Sequence, residues 1–319
     1  MLRSLRLFYI SQGEGNKDRK IIAIALYVLI ILSTTILVLS ILPQLYDLLY
    51  GDSQVTQILN NIIQGSNPDD IALSIMRWEK EYFYNPYSMF NPNSTLQKIG
   101  LYKINGSYRL FVRNAPVSWV IHSRLANCGE YAKVFVYLMN KKGILARIVH
   151  TPGEDHAWAE YMSNGFKIVV DPSSNRVILD KRKFAKDKNW SYIESYNISN
   201  VSDRIDVSDE YIERGKLNVY VLENGNPKTG VYVVIKSPHL MRLYPSRYTE
   251  PRIVVFKKTD KNGSSSFKLG EKEYIVEVRK NYLILDMVYS KNITVKINEE
   301  VNISFDLAKE EGELRLRNF

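Results

Sequence analysis

From Ile21 to Leu42 the chain runs for 22 residues without a charged side chain, IIAIALYVLIILSTTILVLSIL. At about 1.5 Å per residue, a helix of that length extends roughly 33 Å, enough to cross the hydrocarbon core of a bilayer. The stretch is longer than the apolar region of a cleaved signal peptide, and no small-residue cleavage motif follows it. The sequence therefore predicts an uncleaved transmembrane signal anchor over residues 21–43, closed by Pro43, with the lipid bilayer as its partner through residues 21–42. Flanking charge sets its direction. Arg3, Arg6, Lys17, Arg19 and Lys20 outnumber Glu14 and Asp18 on the N-terminal side, whereas Asp47, Asp52, Asp69 and Asp70 come before the first basic residue beyond it, Arg77. Basic residues stay on the cytoplasmic side. Residues 1–20 are expected as a cytoplasmic tail and residues 44–319 as the extracytoplasmic part of a single-pass cell-membrane protein.

Asn-X-Ser/Thr sequons occur at Asn93, Asn105, Asn189, Asn197, Asn200, Asn262, Asn292 and Asn302, all beyond the apolar stretch. Chance would give roughly three in a chain of this composition, so the excess points to a glycosylated exterior. With 45% apolar residues, wholesale disorder is excluded. One cysteine excludes an intramolecular disulfide and any cysteine-cluster metal site. The net charge of +9 is spread out and gives no reason to expect nucleic acid as a partner.

The part beyond the anchor reads as α+β followed by all β. Residues 44–65 have helical spacing and are expected as a stalk or packing helix. Asn67-Pro68 opens a second helix, with Asp69 and Asp70 at the positive end of its dipole. Helix signals precede strand signals over residues 66–185, the pattern of an α+β domain. Residues 186–214 are polar and weakly periodic, and are expected as a linker. Residues 215–308 contain seven or so short alternating runs separated by turns, which predicts a β sandwich. Residues 309–319 are charged and are expected as a frayed tail.

The lone cysteine lies in Asn127-Cys128-Gly129-Glu130-Tyr131-Ala132. Asn127 is a good N-cap, Tyr131, Val134, Phe135, Leu138 and Met139 have helical spacing, and Gly143 suits the C-terminal end. Cys128 is thus placed in the first turn of a helix, where free backbone N–H groups and the helix dipole favour a thiolate and can bind a developing oxyanion. His156 opens the alternating run His156-Ala157-Trp158-Ala159-Glu160-Tyr161, and Asp171 ends the strand-like run Phe166–Asp171 just before Pro172. A cysteine at a helix tip, a histidine on one strand and an aspartate at the end of the next can meet in one cleft. There the imidazole would take the thiol proton and the carboxylate would hold the ring.

The runs NCGEYA, GILARIV, HAWAE and VVDPS resemble the core of the transglutaminase-like superfamily, which is related to the papain-like thiol enzymes. The likeness covers residues 66–185 and is most specific over 124–175. Ala126 departs from the glycine usual in the family at that place. The resemblance implies a papain-like fold for the core, with Cys128 as nucleophile, His156 as general base and acid, Asp171 as the orienting group and no metal or organic cofactor. The runs NVYVLENGNPKTGVYVVI and TDKNGSSSFKL resemble the carboxypeptidase-regulatory, transthyretin-like sandwich, whose members serve as spacers or binding surfaces. Trp119 could lend its indole N–H to an oxyanion or line a substrate groove, with core packing as the plainer role. Glu154 and Asp155, just before His156, read as ordinary loop acids.

The resulting expectation is a membrane-tethered thiol enzyme acting on amide bonds of a protein or peptide at the cell surface, a protease or amidase rather than a cross-linking acyl transferase. The competing expectation is an inactive transglutaminase-like surface protein that serves as a binding or structural module.

Overall fold

The structure, a computed structural model, describes residues 2–282 and 285–316, with the side chains at 2–21, 32, 35, 36, 39, 201 and 282 outside the description. The charges used to orient the apolar stretch on its N-terminal side, from Arg3 to Lys20, lie outside the described side chains. The chain divides into two compact units, residues 1–57 with 92–124, and residues 58–91 with 125–319.

In the first unit one helix runs from Leu2 to Asn61. It passes through Pro43, so the expected anchor and the separate helix over 44–65 are one continuous element. Proline inside a helix costs about 3 kcal/mol through one lost hydrogen bond and a steric clash, and the helix continues past it nonetheless. Consecutive side chains from Ile22 to Ile31 are exposed, as are Leu37, Val38, Ile41 and Leu42. From residue 22 to 31 the helix is therefore apolar and uncovered around its circumference. Three of its described hydroxyls bond back to the helix: Ser33 and Thr34 donate to the Ile30 carbonyl and Ser40 to that of Leu37. Among the described residues no helix is long and apolar enough to cross a membrane; the 21–42 stretch is described with gaps at 21, 32, 35, 36 and 39. The same unit holds the hairpin Leu101–Ile104 with Ser107–Leu110, turned at Asn105-Gly106 with both residues at positive φ, and the short helix Val117–Ser123.

The second unit begins with the helix Pro68–Tyr82, capped by Asn67 as the sequence predicts. Next comes the helix Cys128–Lys141, packed across an antiparallel sheet of six strands. Their order is Arg176–Ile178, Phe166–Asp171, His156–Ser163, Ala146–Thr151, Glu194–Asn197, Asn200–Asp206. The last two strands lie within the segment expected as a linker. Residues 186–214 are part of the core: Trp190, Ile193, Val207 and Tyr211 are buried against Val149, Trp158 and Val169. Their apolar side chains are too widely spaced in sequence to write either a helix or a strand period, because each packs from a turn or a strand end.

The remainder is a sandwich of two sheets. One contains Asn226–Pro227, Gly215–Glu223 and Ser264–Leu269, with Glu300–Asp306 joined in parallel to Gly215–Glu223. The other orders Arg252–Lys258, Tyr232–Ser237, Lys272–Tyr282, Leu285–Val295 and Glu313–Leu316. Leu217, Val219, Val221, Val233, Ile235, Val276, Val278 and Phe305 fill the space between them, every second residue of their strands. The expected tail thus contributes an edge strand, Glu313–Leu316, paired to Leu285–Val288. All four of its residues are exposed, so no buried face wrote an alternation into the sequence.

Candidate active site

The helix bearing Cys128 starts where it does because Asn127 caps it. The Asn127 carboxamide oxygen accepts from the amides of Gly129 (2.8 Å) and Glu130 (3.3 Å), and the Glu130 carboxylate accepts in return from the Asn127 amide (3.2 Å). This capping box is worth about 1 kcal/mol and holds the sulfur at the first helical position. The Asn127 side chain also donates to the Tyr87 hydroxyl at 3.3 Å. Ala126, the departure from the family pattern, is fully buried and leaves the cap intact.

His156 and Asp171 meet through strand register. Val170 pairs with Ala159, which puts Asp171 on the sheet face shared by Trp158 and His156, one diagonal step away. The His156 Nε2 lies 3.1 Å from Asp171 Oδ2. The Cys128 thiol acts on the same imidazole electrostatically, favouring its charged form. The thiol approaches the Asp155 carbonyl at 3.9 Å. Cys128 is half-buried, the His156 side chain a quarter exposed and Asp171 buried.

Electrostatics tie the three together. Burial alone would lower the His156 pKa, but the hydrogen bonds and charges of Asp171 and Cys128 outweigh it and lift the imidazole to about 9. Burial acts to raise Asp171, and its bond to His156 together with those from Ser173 and Ser174 prevails, holding it below the usual carboxylate range. The Ser173 hydroxyl donates to Asp171 Oδ1 at 2.6 Å and the Ser174 amide to the same oxygen at 3.3 Å.

Beneath the imidazole lies an aromatic floor. Trp158 and Trp190 stack at 4.4 Å and 8°, and both lie nearly parallel to the His156 ring, with centroids 6.0 and 5.8 Å away. Phe184 closes the edge. The Trp158 indole donates to the Tyr211 hydroxyl (3.0 Å), which donates to buried Glu160 (2.6 Å), which Arg147 pairs. Trp158 sits in the core under the site; Trp190, Phe184 and Tyr211 come from the segment beyond Asp171, where sequence patterning offered no signal.

Trp119 belongs to the other unit. Its indole N–H donates to the Leu110 carbonyl at 3.2 Å and Tyr46 packs on its edge, so this donor serves local packing. The eight sequon asparagines are all exposed. His150 lies beside Glu194 and His122 against Tyr46, apart from the Cys128 group in bonding. Among the described residues no group of three or more His, Cys, Asp or Glu side chains is placed to hold a metal.

Residues 91–172 match the family model of the transglutaminase-like superfamily. A peptide-N(4)-(N-acetyl-beta-glucosaminyl)asparagine amidase of Kluyveromyces lactis is 31% identical over 116 residues, 36% of this chain and 32% of the relative. A protein of the same name from Drosophila melanogaster is 39% identical over 72 residues, 22% of this chain and 11% of that one. The chain therefore spans about a third or less of the length of these relatives. Among solved structures, the shaft pilin SpaA of Lactobacillus rhamnosus GG aligns over 31% of this chain and 51% of its own, with 11% identity and a TM-score of 0.25. Motif, register and family match coincide on the same residues: the chain carries a transglutaminase-like core.

Proposed function

We propose that this protein is a membrane-tethered, extracytoplasmic thiol enzyme that hydrolyses amide bonds of a protein or peptide, with Cys128 as nucleophile, His156 as general base and acid, and Asp171 as the group that orients the ring. The observation that carries the reading is His156 held at 3.1 Å by the Asp171 carboxylate, with the Cys128 thiol 3.9 Å from the carbonyl of Asp155, the residue next to His156. In the reaction, Cys128 passes its proton to His156 and the sulfur attacks the amide carbon, forming the C–S bond. The oxyanion falls to the Cys128 amide at the helix N-terminus, since the Asn127 cap takes the amides of Gly129 and Glu130. Collapse breaks the C–N bond, and the imidazolium protonates the departing amine. Water, deprotonated by the now neutral His156, then cleaves the thioester and restores the thiol. The amidase name borne by the relatives favours water over an amine as acceptor.

The tether is supported by the uncovered apolar circumference of residues 22–31, an arrangement that belongs in lipid rather than water. Full-length protein should remain in the membrane fraction after alkaline carbonate extraction, and protease added to intact cells should digest residues 44–319; extraction into the soluble fraction would contradict the tether. For the chemistry, a cysteine-directed probe should label the wild-type chain at Cys128 and leave Cys128→Ala unlabelled, and assays with peptide amides should release amine without joining an added lysine analogue. Product joined to the amine in preference to hydrolysis would reassign the enzyme to acyl transfer.

A further inference from the structure

We infer that the β sandwich is a positioning device for His156, gripping the turn that leads into it; this rests on the reading of Cys128 and His156 given above. The turn Pro152–Glu154 and Asp155 connect strand Ala146–Thr151 to His156. Three of these residues are held by the sandwich. Gly153 is buried against strand Arg252–Lys258: a Cβ added there would come within 2.7 Å of Val254 Cγ2. Its φ lies outside the left-handed region, so space against the sandwich, not backbone geometry, demands glycine. Glu154 is buried and receives the Lys272 ammonium (2.7 Å), from the sandwich, and the Ser191 hydroxyl (2.7 Å). Asp155 stands at positive φ, and its carboxylate accepts from the Tyr248 hydroxyl (2.7 Å), with Arg252 at 3.7 Å. Burial and the Asp155 carboxylate push Tyr248 up to about 12, which keeps it a donor at any working pH.

These contacts converge on the residue next to the imidazole. The Asp155 carbonyl also faces the Cys128 sulfur, so one peptide unit touches the thiol and the sandwich holds that unit. The loop carrying Tyr248 reaches the nucleophile side as well: the Arg247 guanidinium lies 4.2 Å over the Tyr87 ring, and Tyr87 accepts from Asn127, the cap of Cys128. A spacer domain would have no reason to place a buried ion pair, a hydroxyl–carboxylate bond and a close glycine contact on the single turn that sets the histidine. Sliding that turn by a fraction of an ångström moves the ring relative to sulfur, and catalytic geometry is sensitive on that scale.

The test uses the full-length chain and measures alkylation of Cys128 by iodoacetamide at neutral pH, a readout of thiol activation that needs no substrate. His156→Gln sets the scale and should label on the order of tenfold more slowly than wild type. Tyr248→Phe should label roughly fivefold more slowly, with only a small loss of melting temperature because both partners of the bond are part-exposed. Gly153→Ala should slow labelling further, and Val254→Ala added to it should restore most of the rate even as it lowers the melting temperature. A loss that merely reflected folding would worsen in that double variant. If wild type and His156→Gln label alike, both the thiol–imidazole reading and the positioning role fall. If His156→Gln is slow while Tyr248→Phe and Gly153→Ala match wild type, the positioning role is overturned and the reading of the site stands.

Discussion

The two halves of the second unit bury different things. Between the sheets of the sandwich the filling is apolar, Leu217, Val219, Val276, Phe305 and their neighbours, and its buried charges, Lys236 and Arg279 on Glu277, sit together on the neighbouring strands Tyr232–Ser237 and Lys272–Tyr282. The half built around Cys128 buries Glu130, Glu154, Glu160 and Asp171, each matched to named donors: the Asn127 amide, Lys272 and Ser191, Arg147 and Tyr211, His156 and Ser173. Apolar burial is non-directional and stabilises a fold without setting atoms to a fraction of an ångström. Buried charge is costly unless its partners are in place, so it specifies positions. The apolar filling between the sheets serves stability, and the matched charges around Cys128 and His156 serve geometry.

That contrast can be broken at several points. Cys128→Ala should remove activity by a factor on the order of 10^4 or more while the melting temperature stays within about 2 °C, because a half-buried thiol adds little packing; unfolding of this variant would make the residue structural. Asp171→Asn should cost roughly 10^2–10^4 in kcat/KM. It should also move the alkaline limb of the rate profile downward from about pH 9, where His156 titrates. On the proposed mechanism, wild-type activity should fall as pH rises through that value, because the imidazolium that protonates the leaving amine would be lost. The same raised pKa means that the pairing of His156 stabilises the fold fully below its unfolded value near 6.5 and that this contribution fades as pH passes about 9. A fully acidic optimum with no alkaline limb would contradict the assignment.

In the sandwich, Phe305→Ala should lower stability by about 3–5 kcal/mol in chemical denaturation, the cost of a cavity in a dry core. In the other half, Tyr211→Phe removes the hydroxyl between Trp158 and Glu160 and should cost about 1–3 kcal/mol. Equal losses at the two positions would erase the distinction drawn between them. Asn262→Gln, at an exposed turn, should change stability by less than about 0.5 kcal/mol.

How much of this could be read from the chain follows the same division. The Cys128 helix was legible because its beginning and end are written locally, in Asn127, Glu130 and Gly143. Asp171 was legible because a strand of apolar residues stops on it before Pro172. The sandwich alternates with a period of two and was legible as strands, though its exposed edge strand Glu313–Leu316 was not. Residues 186–214 were misread because Trp190, Ile193, Val207 and Tyr211 pack from scattered places. Glu154 and Asp155 looked like ordinary loop acids because their partners, Lys272 and Tyr248, lie 118 and 93 residues further along. The floor of the site and the grip on its histidine are tertiary facts with no local signature.

The central claim is that His156 activates Cys128, and the most direct test is the rate of Cys128 alkylation followed across pH in wild type and His156→Gln. The account predicts that wild type reacts faster at about pH 6.5, where the imidazole supports the thiolate, and that the substitution abolishes this advantage. Superimposable profiles for the two proteins would contradict it.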